Sequence, residues 1–157
     1  MLNITDLIRE GQLFHEDYSS RNEYFEDISN RLYDLGIVTK DFQEALETRE
    51  MNYPTGLITK SLTVALPHVD SKYVKKNAFY ITCFKTPVTF QRMDDVKNAI
   101  PVSISFLMLI KDVDSHMKAI QQIATILQDE DILEEIYEAK DKDEVIALIE
   151  GKFQWNA

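Results

Sequence analysis

The chain has 157 residues, 45% of them apolar, with only four glycines and four prolines, which suits one compact domain and excludes a disordered or fibrous protein. Twenty-seven acidic against seventeen basic side chains leave a net charge of −10, which repels nucleic-acid backbones and anionic lipid surfaces. Cys83 is the single cysteine, so an internal disulfide framework and a cysteine-rich zinc site are excluded. The opening MLNITDLIREGQL lacks the basic end and apolar core of a signal peptide. No apolar run approaches the roughly 20 residues that span a bilayer, so a cytoplasmic location is expected.

A short amphipathic start leads to an expected edge strand around Gln12 to Phe14, and His15, beside Glu16 and Asp17, reads as a solvated histidine. Tyr24, Phe25, Ile28, Leu32 and Leu35 recur at helical spacing, which predicts a helix from Arg21 to Leu35 stopped by Gly36. A second helix is expected from Thr39 as N-cap to about Glu50, with Phe42, Ala45 and Leu46 inward, ending before Pro54. Arg49 therefore falls on its last turn, where a cation suits the helix dipole.

Pro54 to Gly56 signals a turn, and Leu62, Val64 and Leu66 then alternate as a strand that ends at Pro67 and His68. Proline cannot donate to a sheet ladder, so Pro67 stops the strand and presents His68 in a constrained direction. Neutral imidazole carries one bare nitrogen near working pH, which suits a nucleophile, a base or a ligand. The plain alternative is a loop histidine without chemistry.

Ala78 to Phe84 reads as a strand with Cys83 as a small buried hydrophobe, and Pro87 to Phe90 as a separate short strand after a turn. Polar QRMDDVKN is a loop, and PVSISFLMLI, Pro101 to Ile110, is apolar enough for a central buried strand. Asp114 or Ser115 is then expected to cap a helix carrying Met117, Ile120, Ile123, Ala124 and Leu127, with His116 in its first turn. Ligands gather where strand ends meet helix starts in open α/β sheets. Two more helices follow, Glu130 to Ala139 and Asp143 to Gly151, the last capped by Asp141.

Arg49, His68 and His116 thus each stand at an element's end beside a loop. The ordered set TRExxYPTGL, VALPH, PVxF and SHMKAIQQIA resembles the EIIA component of the phosphoenolpyruvate-dependent sugar phosphotransferase system, fructose/mannitol family, and within it the galactitol-type EIIA proteins. The likeness is strongest over residues 20 to 150. It implies one α/β domain over residues 1–157, with a mixed, mostly parallel sheet of about five strands and helices on both faces. It also implies that His68 accepts a phosphoryl group from the carrier protein HPr and passes it to a cysteine of the partner EIIB. Arg49 and His116 would hold the phosphoryl oxygens, with no cofactor and no metal. The implied partners are HPr and EIIB, with no nucleic acid and no insertion into a membrane. The sugar and the oligomeric state stay open.

Members of the mannitol branch commonly carry glycine directly after the histidine and an acidic residue a little before the strand, where this chain has Val69 and Lys60. Two other readings compete. One is an EIIA-like domain that senses phosphorylation and regulates, without a transport role; such domains usually lie inside longer chains. The other is a metal site assembled from His15, His68 and His116, although no HExxH-type spacing is present. Leu66, Val69, Phe90 and Met93 are the expected apolar docking surface for a protein partner.

Overall fold

Asn3 begins the first helix, and the reason is local. In the computed structural model, which describes residues 2–155, its side chain accepts from the Asp6 N–H while the Asp6 carboxylate accepts from the Asn3 N–H. This reciprocal box starts α1 (Ile4–Glu10), and Gly11 turns the chain into the edge strand β1 (Gln12–Glu16). A Cβ on Gly11 would stand 1.9 Å from the Phe79 carbonyl oxygen, so this junction presses directly on the neighbouring strand. Gly11→Ala is expected to cost about 3 kcal/mol, measured as a lowered urea midpoint. Gly151, whose added Cβ would meet nothing within 4 Å, is the control, and its alanine variant should gain about 0.5 kcal/mol.

Helix α2 (Arg21–Asp34) buries Tyr24, Phe25, Ile28 and Leu32, as their spacing predicts. It ends where Gly36 takes φ +74°, with the Gly36 N–H donating to Tyr33 and the Ile37 N–H to Leu32. Helix α3 (Phe42–Asn52) begins later than expected, and Thr39 is not its N-cap. The chain is still extended there, because the Thr39 N–H donates to the Tyr73 carbonyl and Val38 bridges Val74.

Two short strands, β2 (Gly56–Ile58) and β3 (Thr63–Ala65), flank the Thr59–Leu62 turn. After a 3₁₀ turn at Ser71–Tyr73 comes β4 (Ala78–Gln91), one strand where the sequence suggested two. Six residues of β4, Cys83 to Val88, run opposite only three of its neighbour, Ile104 to Val102. Pro87 lies in that bulge, where no ladder N–H is required, so the strand continues through it.

Strand β5 (Ala99–Leu109) lies at the centre of the order β1-β4-β5-β3-β2. The sheet is mixed: β1 with β4 and β3 with β5 are parallel, while the β4–β5 and β2–β3 neighbours are antiparallel. Ile104, Phe106 and Met108 face α1, α4 (Val113–Leu127), α5 (Ile132–Glu138) and α6 (Lys142–Lys152). Leu107 and Leu109 face α2 and α3. Each such fully buried Leu, Ile or Phe contributes roughly 1.5–3 kcal/mol, which explains why this strand is mostly apolar. Helices therefore cover both faces, as expected, and no helix among the described residues is long and apolar enough to cross a membrane.

Helix α4 departs from expectation at its start. Asp112 is the N-cap, accepting from the Ser115 N–H at 2.9 Å, so the helix begins before Asp114 and Ser115. Ala119, Ile123, Ile126 and Leu127 are buried, whereas Met117, Ile120 and Ala124 are exposed. The apolar stripe of this helix is wider than the core it covers.

Candidate functional site

Strand β3 stops at Ala65, yet the chain stays tied to the sheet two residues later, because the Met108 N–H donates to the Pro67 carbonyl and His68 bridges Met108. Pro67 has no N–H to donate, so the next group presented is the His68 ring. Its Nδ1 lies 2.9 Å from the Leu66 carbonyl oxygen. A carbonyl only accepts, so Nδ1 carries the proton, and in the neutral ring Nε2 keeps its lone pair.

The other two expected residues come to the same place from distant parts of the chain. Arg49 arrives on the last turn of α3, and His116 on the first turn of α4, which starts just past the end of β5. The rings of His68 and His116 are 5.5 Å apart between centroids, tilted by 59°. Arg49, His68, Asp70, Lys111, Asp112 and His116 line one cleft of about 280 Å³. Arg49 Nη1 stands 3.6 Å from Asp70 Oδ1, its guanidinium carbon lies 5.4 Å from the Tyr53 ring centroid, and its buried Nε has no hydrogen-bond partner.

Burial is the main influence that holds His68 below the usual histidine value, and the Arg49 and His116 charges push the same way against the Leu66 bond. Burial and then Arg49 lower His116 as well. A lowered value favours the neutral ring, so at pH 7 the His68 Nε2 is bare. In an NMR titration both rings are expected to protonate only below pH 6.5, the ordinary value. The stability that the neutral rings contribute is present above 6.5 and is lost as pH falls through the folded values. A His68 ring that titrates above 6.5 would contradict this account of the cleft.

His15 is partly buried and tied to backbone, and it is not part of this group. Its Nε2 lies 2.6 Å from the Ala139 carbonyl, and β4 and β5 separate its strand from β3. The three histidines therefore form no common ligand set, and no group of three or more metal-binding side chains occurs among the described residues. Cys83 is buried in the core, and burial pushes its thiol up to about 12, which makes it a packing residue.

The apolar surface beside the cleft differs from expectation. Val69 and Phe90 are buried, because both belong to the core beneath α2 and α3. Leu66 and Met93 remain on the surface, and with Leu57, Ile58, Ile120 and Ala124 they line a groove between β2 and α4. The exposed face of α4 is one wall of that groove.

Glu50 escaped the sequence reading. It is 1% exposed, and its carboxylate accepts from the Thr55 N–H at 2.7 Å and from the Thr55 hydroxyl at 2.9 Å. Burial raises it above the usual carboxylate value, although Thr55 and then Arg21 and Arg49 oppose the rise. Its spacing carried a signal, since Phe42, Leu46 and Glu50 fall four residues apart on one buried helix face.

Residues 7–152 match the family described as phosphoenolpyruvate-dependent sugar phosphotransferase system, EIIA 2. The galactitol-specific EIIA component of Escherichia coli K12 is 28% identical over 117 residues, 74% of this chain and 77% of that protein. Among solved structures, the nitrogen regulatory protein IIA-Ntr of Neisseria meningitidis has a TM-score of 0.73 at 23% identity, covering 93% of this chain and 98% of that one. The Escherichia coli mannitol enzyme IIA, solved in complex with phosphorylated mannitol enzyme IIB, has a TM-score of 0.68 at 21% identity and covers 88% of this chain and 94% of its own. The match of the family description to nearly the whole chain decides the matter: this protein belongs to the EIIA 2 family of the phosphoenolpyruvate-dependent sugar phosphotransferase system.

Proposed function

We propose that His68 is the residue that receives the phosphoryl group, from HPr, and hands it to a cysteine of an EIIB partner. Family membership makes the chain a phosphoryl carrier component of a sugar phosphotransferase system. What supports His68 in particular is the single bond from its Nδ1 to the Leu66 carbonyl, which leaves Nε2 as a bare nucleophile in a cleft shared with Arg49 and His116.

The Nε2 lone pair attacks phosphorus, the P–N bond of the donor phosphohistidine breaks, and its electron pair returns to the HPr ring. In the second step the EIIB thiolate attacks, the P–N bond at His68 breaks, and His68 recovers its lone pair. Such a transfer asks mainly for alignment and charge stabilisation. Arg49 has an unpartnered Nε and, besides the Tyr53 ring face, a 3.6 Å contact to Asp70, so its fork can turn to two phosphoryl oxygens. The N-terminal end of α4, at Asp112 and Val113, also lines the cleft and favours added negative charge. The groove between β2 and α4 offers apolar surface to a protein partner beside the reacting nitrogen.

Incubation with phosphoenolpyruvate, enzyme I and HPr should give one acid-labile, base-stable phosphate, mapped by mass spectrometry to His68. Mapping to any other residue overturns the assignment. A second reading takes its lead from the likeness to the nitrogen regulatory protein: the same histidine is phosphorylated as a signal. Prompt loss of the label to an EIIB cysteine favours the carrier. Retention of the label in the presence of EIIB favours the sensor.

A further inference from the structure

Helix α3 and the end of β3 are joined by a chain of buried polar contacts that neither the core nor the sheet requires. Glu50, one residue after Arg49, binds both the N–H and the hydroxyl of Thr55. Thr55 is 3% exposed and lies just before β2, in the turn leading from α3. Its hydroxyl oxygen in turn accepts the Leu66 N–H at 3.2 Å. Gly56 pairs with Ala65, so Leu66 stands one step beyond the β2–β3 ladder, and the Thr55 side chain supplies the acceptor there.

Leu66 is also the residue whose carbonyl fixes His68. That carbonyl belongs to the Leu66–Pro67 peptide unit, which has no N–H through which the sheet could hold it. Its direction follows from the Leu66 backbone, and the Leu66 N–H is anchored by Thr55 alone among the described contacts. A carboxylate buried at the foot of α3 thus sets the position of a residue whose carbonyl selects the ring tautomer of His68. The same turn of α3 carries Arg49.

The structure assigns Glu50 and Thr55 as positioning residues for His68, a clamp that holds the Leu66 carbonyl on Nδ1 and keeps the bare nitrogen at Nε2 in register with Arg49. The assignment rests on His68 being the phosphoryl acceptor. Neither residue touches the phosphoryl group, and both act through the Leu66 backbone.

The test is a ring-nitrogen NMR comparison of unphosphorylated protein at pH 7.5, paired with initial rates of phosphoryl uptake from HPr. The parent should show one protonated nitrogen, Nδ1, and one bare nitrogen, Nε2. Thr55→Val keeps the side-chain volume and removes the hydroxyl. It is expected to bring the two ring signals together as tautomers mix, and to slow uptake about tenfold. Thr55→Ser restores the hydroxyl and should return both readings to those of the parent.

A folded Thr55→Val protein that keeps the parent's ring signature overturns the clamp, whatever its rate. Should Thr55→Val fail to fold, Glu50→Gln carries the same comparison, because it leaves a single oxygen acceptor for the two Thr55 donors. A Glu50→Gln signature identical to the parent's likewise overturns the assignment. Absence of phosphate on residue 68 of the parent would defeat the carrier reading instead, and the ring comparison, made without a phosphoryl donor, would still decide the clamp.

Discussion

His68→Ala is expected to abolish phosphoryl uptake from HPr, a loss of at least about 10³-fold, while the protein stays folded. The argument is that the reacting atom itself disappears, and no neighbour can replace it. His116 is the nearest imidazole, but it sits across the cleft with its ring centroid 5.5 Å away, and a donor aligned on Nε2 of residue 68 is misaligned for it. The structural cost is small: one bond to the Leu66 carbonyl, about 1 kcal/mol. Circular dichroism and melting should therefore change little. If His68→Ala is labelled at the parent's rate and His116→Ala is not, the roles of the two rings are reversed.

Arg49→Met is expected to slow transfer through His68 by about 10²-fold, and Arg49→Lys to recover only a minor part of that loss. Lysine keeps the charge but not the planar fork that meets two oxygens at once. The present contacts of Arg49 are loose: a 3.6 Å approach to an Asp70 that is 69% exposed, a 5.4 Å approach to the ring of the exposed Tyr53, and an Nε without a partner. Removing them should barely affect stability, since an exposed pair of this kind contributes little. The loss must then appear in the rate, with the melting temperature close to the parent's. Equal initial rates for Arg49→Met and parent, at saturating phosphorylated HPr, would remove the guanidinium from the chemistry.

Much of this fold was legible in residue patterns, for reasons that particular elements make plain. Long periodic segments such as Arg21–Asp34 and Lys142–Lys152 declared themselves because each carries its own cap and its own apolar face. The mostly apolar run of β5 announced its central place, because a strand covered on both sides holds few polar side chains, and its buried Ser105 is paired with the Tyr24 hydroxyl. Shorter elements did not announce themselves. Helix α1 has seven residues and β2 three, too few for a period to stand out, and both persist because neighbours pack on them. Pro87 looked like a strand boundary, yet the bulge that absorbs it exists only because β5 runs alongside.

The amino-acid sequence alone determined which groups could do chemistry, and where each would stand within its own element: His68 past a proline, His116 at a helix start, Arg49 at a helix end. Those placements follow from backbone rules that act over a few residues. Tertiary structure alone decided that these three share a cleft while His15 is tied to the far edge of the sheet, and that Met117 and Ile120 face outward. It also turned Glu50 from one more acidic helix residue into a buried anchor. Distance, burial and the direction of a lone pair depend on groups far apart along the chain, so they come into being only when the strands and helices pack.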